Sequence, residues 1–238
     1  MNRIHVVMVV AASCTVTGAN AAFVGWTGRV HSAGGYVLLD VFAAVSSQQD
    51  HLLNVFNTQI AATGTTFYQA PGLATKAWNP YFGTSTMDSA DSFVTLGAFE
   101  STGTIYSASG TAGDPSFAGY SPTPVSAPST TIPAGAGWYT TQPLSSESDA
   151  KPKPAFFGAG SWQGAQAPMG IWVAHFAFEA STITAESSVS FLGTAGYKVG
   201  SSTVAVFGTD AQVFMLPAPG ALALLAGAAT RLRSRRTR

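Results

Sequence analysis

The sequence predicts an all-β domain, a single β-sandwich or jelly roll with long Ser/Pro/Gly loops, and three observations indicate it. Only 9% of the 238 residues are charged, which is few for a helical protein. Serine, threonine, glycine, valine and phenylalanine are abundant, as is typical of short strands joined by turns. Several short apolar runs are separated by turn-forming residues, which is the spacing expected of a sandwich.

The first half of the chain contains one strand with a clear pattern and one segment that allows two interpretations. Residues 36–45 are apolar on both faces apart from Asp40, which predicts a strand in the centre of a sheet. Residues 52–60 fit an amphipathic helix as well as a strand.

The middle of the chain predicts a hairpin followed by a long loop. Residues 91–99 predict a strand, and residues 104–106 are its expected hairpin partner. Residues 107–137 are rich in Ser, Pro, Gly and Thr, with little to bury, and predict a loop.

The second half contains the clearest alternation, at residues 171–179. Trp172, Ala174, Phe176 and Phe178 are expected on the core face, and His175 on the opposite face. Further strands are predicted at residues 188–192, 202–207 and 211–216, separated by turns at 193–200 and 208–210.

The amino terminus has the pattern of a signal peptide, predicted as a helix over residues 1–21. Arg3 precedes an apolar stretch, and Ala19 and Ala21 form an Ala-x-Ala cleavage site. Cleavage after Ala21 would remove Cys14, the chain's one cysteine, so the body over residues 22–216 would have no disulfide and no thiolate metal ligand.

The carboxyl terminus combines a proline hinge, a short apolar run and clustered arginines. The hinge reads Pro217, Ala218, Pro219 and Gly220, and the basic residues are Arg231, Arg233, Arg235, Arg236 and Arg238. Clustered arginines stay on the cytoplasmic side of a membrane. The apolar run is about half the length of a spanning helix, so we expect a short hydrophobic helix that anchors the chain transiently.

Residues 217–238 resemble the PEP-CTERM protein-sorting signal of bacteria that make exopolysaccharide, although alanine stands where that motif has glutamate. The resemblance covers the tail alone. It implies recognition by an exosortase, a membrane peptidase that cuts near the motif, after export and signal-peptide cleavage. It also implies a destination in the cell envelope, at the cell surface or in an extracellular matrix, with exopolysaccharide as a candidate partner.

Charge excludes nucleic acid as a partner of the body. Residues 22–216 hold five basic residues against eleven acidic ones, a net charge of −6. Affinity for nucleic acid comes mainly from basic side chains that neutralise phosphates.

No common catalytic motif occurs, so we expect no enzymatic activity, no metal and no cofactor. Two acidic pairs, Asp88 with Asp91 and Glu179 with Glu186, are the nominees for a carboxylate-dependent hydrolase, and turn formation is the alternative for the first pair. His31, His51 and His175 are expected at the surface or in turns, and a shared metal site is their alternative.

Large aromatic side chains in turn-rich sequence are the remaining candidates for binding. Trp78, Tyr81, Trp138 and Tyr139 either fill the ends of the sandwich or form a platform for sugars. The sequence therefore predicts an exported surface or matrix protein with a structural or interaction role. A carbohydrate-binding module or adhesin is the first alternative, and an extracellular hydrolase the second.

Overall fold

The structure is a computed structural model that describes slightly more than half of the chain. The described residues are 23–47, 50–69, 78, 91–101, 104–107, 111–113, 131–140, 153–154, 161–167, 169–199 and 202–218. The predicted signal peptide and most of the tail, including their predicted helices, lie outside these ranges.

The described residues are mostly β-strand, as the sequence predicts. In chain order the strands are β1 Phe23–Ala33, β2 Tyr36–Val45, β3 His51–Thr63, β4 Phe93–Val94, β5 Ala98–Ser101, β6 Thr104–Ser107, β7 Thr111–Gly113, β8 Trp138–Thr140, β9 Lys153–Pro154, β10 Ser161–Gly164, β11 Met169–Glu179, β12 Ser188–Lys198 and β13 Ala205–Met215. A 3-10 turn, Ala180–Thr182, follows β11.

The strands form two antiparallel sheets and a separate hairpin. Sheet A has the order β10-β1-β2-β11-β4, and β9 pairs with the start of β11. Sheet B has the order β13-β12-β3-β8-β7. Strands β5 and β6 pair with each other, as the predicted hairpin requires. The single strand predicted at residues 91–99 is wrong, because this segment holds two short strands, β4 in sheet A and β5 in the hairpin.

One hydrophobic cluster contains side chains from both sheets. Trp26, Val41 and Phe176 enter it from sheet A, and Val55, Phe191 and Phe214 from sheet B. Gly28 lets the sheets approach, because a Cβ there would lie 2.7 Å from the Phe214 ring. Trp26 also ties β1 to β13: its backbone N–H donates to Asp210 Oδ2 at 2.8 Å, and its indole N–H to the Asp210 carbonyl at 3.0 Å.

Several predicted elements are confirmed. Strand β2 has the predicted bounds and lies between β1 and β11, in the middle of sheet A. Residues 52–60 belong to a strand, β3, and not to a helix. Strand β1, in contrast, has no counterpart among the predicted elements.

Two predictions about the second half of the chain are wrong, and the first is the regular alternation in β11. Strand β11 has a register shift between Trp172 and Ala174, which adds one residue and inverts the alternation before it. Trp172 therefore lies on the opposite face from Phe176, in a small cluster with Phe42 and Phe93, and Val173 joins the main core.

The expected turns at residues 193–200 and 208–210 are strand for most of their length. Strand β12 continues through Gly193 and Gly196, and β13 continues through Gly208. The turn between these strands comes later, after Lys198 and before Ala205. Residues 107–137 are not all loop either, because they include β7 and the buried Ile132 and Ala136.

Candidate interaction surface

A charged cluster lies on the face of sheet A that points away from the main core. Register pairing places Arg29 of β1 opposite Asp40 of β2, and Asp40 opposite His175 of β11. His31 is two residues beyond Arg29 on β1, so its side chain lies on the same face. Four polar side chains thus converge in the middle of three adjacent strands.

Asp40 accepts hydrogen bonds from both sides of the row. Its Oδ2 accepts from Arg29 Nη2 at 2.7 Å and Nε at 3.1 Å, and lies 3.0 Å from His31 Nε2. Its Oδ1 lies 2.6 Å from His175 Nδ1. Asp40 and His175 are buried, whereas Arg29 and His31 are 23% and 30% exposed. The cluster therefore meets solvent at its β1 side.

The partners of Asp40 decide its ionisation. Burial by itself would raise the pKa of this carboxyl. The hydrogen bonds from His175 and His31 and the charges of His175 and Arg29 outweigh that effect and hold the pKa of Asp40 well below its usual range. Asp40 is therefore ionised in the folded protein at neutral pH.

The far side of His175 is enclosed by aromatic rings. Phe93 stacks on the imidazole at a centroid distance of 5.0 Å, and Trp172 contacts it edge-on at 5.7 Å. His175 Nε2 is buried and has no hydrogen-bond partner among the described residues. An Asp–His pair of this kind can orient an imidazole for catalysis, but here the imidazole is 2% exposed and a substrate would not reach it.

The three histidines are therefore not equivalent, and the expectation that all lie at the surface or in turns is wrong for His175. His31 and His175 meet at Asp40, while His51 lies on β3 in sheet B, opposite Lys198. Within the described ranges, no group of three or more His, Cys, Asp or Glu side chains is arranged to hold a metal ion. Asp40 in an apolar strand was the visible signal, but sequence does not give the register that brings its partners to it.

Trp78 and Trp138, for which packing at the sandwich ends and a sugar platform were the two alternatives, lie inside the protein. Trp78 and Trp138 are each 1% exposed and belong to the main core. The Trp138 indole donates a hydrogen bond to the Thr95 carbonyl at 2.9 Å. Neither ring has a face free for a ligand. Tyr139 is 41% exposed, and Tyr81 lies outside the described residues.

Tyr139 instead shares a row with an aromatic residue that the sequence did not suggest. Successive register pairs join Tyr139 of β8, Asn54 of β3, Gly196 of β12 and Phe207 of β13. Residues in one such row have side chains on one face, and the burial of the neighbouring Trp138 and Val55 shows that this is the outer face of sheet B. Phe207 is 64% exposed and contacts Phe56 edge-on at 5.8 Å.

Exposed apolar side chains are concentrated on and beside β13. We call this group the β13 patch; its members are Val204, Val206, Phe207, Val213 and Met215. They make up five of the seven large hydrophobic residues that are exposed among the described positions. Phe207, Val213 and Met215 alternate along the strand and point to the outer face of sheet B. Exposed apolar side chains grouped along one strand are candidates for an interaction site.

The predicted acidic pairs do not form a described site. Asp91 is buried, and its Oδ1 accepts from the backbone N–H of Ser92 at 3.1 Å. Asp88 lies outside the described residues. Glu179 ends β11 and Glu186 lies in the following turn, both exposed.

Most of the residues predicted to direct processing lie outside the described residues. Pro217 and Ala218 directly follow β13 and Leu216, whereas Ala19, Ala21, Pro219, Gly220 and the tail arginines are not described. The part of the chain that the structure describes holds no helix with the length and apolar character to cross a membrane.

Comparison with known proteins found no matching family model, no matching curated protein and no matching solved structure. The chain's own residues therefore carry the functional inference.

Proposed function

We propose that the chain is an exported bacterial protein of the cell surface or extracellular matrix, whose body has a structural or interaction role and whose tail is a PEP-CTERM-like sorting signal. The β13 patch is the observation that carries the proposal. Four large apolar side chains are exposed on β13 and a fifth, Val204, directly before it, whereas Trp26, Trp78 and Trp138 are buried in the core. Such a surface suits contact with another macromolecule.

The body in this proposal is a β-sandwich without catalytic activity. A core shared by two antiparallel sheets and the Trp26–Asp210 hydrogen bonds support the sandwich. The Asp40 cluster supports a structural role, because its most buried members point at each other and are closed off by aromatic rings. An exosortase-type peptidase and the export machinery are the expected processing partners, and exopolysaccharide is a candidate partner of the mature protein.

Cell fractionation of the full-length protein tests this proposal. One tag is placed at the amino terminus, one at the carboxyl terminus, and one in the body at the exposed turn that contains Gly34 and Gly35. We expect the body tag at the cell surface or in the medium, without either terminal tag. A form that keeps all three tags and remains in the cytoplasm would refute export and sorting together.

A variant of the tail separates export from sorting. Replacing the five tail arginines with serine should leave export intact but change the final location, because the charges that stop transfer are lost. Unchanged location and processing in this variant would remove the sorting role of the tail while leaving export in place.

Carbohydrate binding is the second candidate function, and the row containing Tyr139 and Phe207 favours it. Exposed aromatic rings on a flat sheet face can stack on sugar rings. Affinity electrophoresis in gels containing the producer's exopolysaccharide tests this function. Tyr139→Ala and Phe207→Ala should each abolish the retardation, and Gln59→Ala, which alters an exposed residue of the same sheet, should not. Equal retardation of all variants would exclude this row as the binding site.

A further inference from the structure

We infer that two copies of the chain pair edge to edge through β13, so that their B sheets form one continuous antiparallel sheet. The inference deepens the proposed interaction role and rests on it. Within the described residues, β13 pairs with β12 alone and is the terminal strand of sheet B. A long terminal strand with unpaired backbone groups is a template for another strand.

Gln163 of β10 reveals which backbone groups of β13 face away from β12. The Met215 N–H donates to Gln163 Oε1 at 2.7 Å, and the Met215 carbonyl accepts from Gln163 Nε2 at 2.8 Å. Both Met215 groups therefore point away from the β12 ladder. Strands β12 and β13 pair without a register shift, so the backbone N–H and C=O groups of every second residue point away from β12 in the same way. These residues are Phe207, Thr209, Ala211 and Val213.

The edge of β13 carries no charge that would oppose pairing with a second copy of this chain. The body has a net charge of −6, so two copies repel each other over most orientations. Strand β13 contains one charged residue, Asp210, whose carboxylate is turned inward to accept from the Trp26 N–H. The edge lacks the lysines by which natural sheets block pairing. The edge of β13 is therefore uncharged, and two acidic bodies can approach each other there without direct charge repulsion.

A two-fold axis makes an antiparallel edge complementary to itself. With the axis at Ala211, Thr209 of one copy lies opposite Val213 of the other, and Asp210 lies opposite Gln212. Moving the axis to Asp210 would place two aspartates opposite each other, which is unfavourable. In the Ala211 register the side chains of Phe207 and Met215 from the two copies also lie beside each other on the outer face. Gln163 keeps the Met215 backbone groups, so the shared ladder runs through Thr209, Ala211 and Val213.

Sedimentation velocity of the purified full-length chain tests the inference. We expect a concentration-dependent dimer. Val213→Lys places a charge at the edge and should raise the dimer dissociation constant about ten-fold or more. Gln59→Lys adds the same charge on the outer face of β3, away from the edge, and should leave the dissociation constant unchanged. Val213 is 53% exposed, so its variant should fold, which circular dichroism verifies.

Cross-linking provides a second measurement that does not depend on disrupting the dimer. In the Cys14→Ser background, Ala211→Cys should give a covalent dimer with a short bismaleimide. Ser190→Cys, on the exposed face of the interior strand β12, should give little. A monomer at all concentrations, equal effects of both lysine variants, or equal cross-linking of both cysteine variants would overturn the inference. A monomer that still reaches the cell surface would refute the pairing alone, whereas a dimer retained in the cytoplasm would refute the proposed function alone.

Discussion

Asp40 shows how a carboxylate is kept inside a sheet whose neighbouring residues are apolar. An unpaired anion at this depth would be strongly unfavourable. Arg29 and His31 approach one oxygen from β1, and His175 approaches the other from β11. Each partner comes from a strand adjacent to β2, so the cluster also fixes the relative register of three strands. We regard it as a structural centre of sheet A.

Removing the Asp40 carboxylate should destabilise the protein substantially. Asp40→Ala leaves the Arg29 guanidinium and the buried His175 imidazole without their shared acceptor, and breaking a buried pair costs about 3 kcal/mol or more of the free energy of unfolding. Urea denaturation measures this change. Glu186→Ala, in an exposed turn, is the matched control and should change the stability by less than about 0.5 kcal/mol. Equal stabilities of the two variants would show that the cluster contributes nothing.

The same cluster predicts an acid-dependent loss of stability. The pKa of Asp40 is lower in the folded state than its unfolded value of about 3.8, so the unfolded state takes up the proton first as the pH falls. The contribution of Asp40 is complete above that unfolded pKa and declines below it, toward the folded pKa.

Urea midpoints of the wild type and of Asp40→Asn, measured from about pH 5 to about pH 2, test this dependence. The difference between the two proteins should narrow as the pH falls. A parallel series with Glu186→Gln should show no such narrowing, because that side chain is exposed. A constant or widening difference for Asp40→Asn would contradict a depressed pKa in the folded state.

At the scale of single elements, the sequence pattern identifies strands more reliably than it locates their ends. Strand β2 follows directly from its apolar pattern, since no turn former interrupts it. Strands β12 and β13 contain glycines that resemble turns, yet each strand runs on through them. At Gly196 the reason is visible: a Cβ there would overlap Asn54 Oδ1 and press on the Phe207 ring. This glycine serves cross-strand packing, which a single sequence does not display.

The irregularity in β11 has a similar explanation. The extra residue near Val173 places both Ile171 and Phe176 in the core, although five positions separate them. A period of two cannot describe such a strand. Trp172 precedes the bulge, so its assignment to the core face was wrong. Phe176 and Phe178 follow the bulge, so their assignment to the core face was correct.

Gln163 joins the two sheets at the outer end of β13, and its removal should weaken that end. Gln163→Ala deletes both hydrogen bonds to Met215, which should lower the free energy of unfolding by about 1 kcal/mol. Hydrogen exchange should show faster exchange of the Met215 amide. Gln166→Ala is the control, because the Gln166 side chain bonds only within its own loop. Unchanged Met215 exchange in Gln163→Ala would contradict this role.

At the scale of the whole molecule, composition predicts the all-β class correctly, but the sites depend on contacts between distant segments. Asp40 and His175 are 135 positions apart, and Trp26 and Asp210 are 184 apart. Neither pair has a local spacing that could reveal it. The exposed row through Tyr139 and Phe207 depends likewise on the register of four strands. Trp78 and Trp138 were nominated because of their turn-rich surroundings, whereas their large apolar area is better used in the core.

In the proposed function, the two ends of the chain determine where the β-rich body and its β13 patch are used. Intact-mass spectrometry of the protein released from the producing cells tests this claim most directly. We predict a mature form that begins at Ala22 and lacks Arg231 and the residues after it. A released protein that keeps residues 1–21 and the arginine tail, or a full-length form confined to the cytoplasm, would contradict the account.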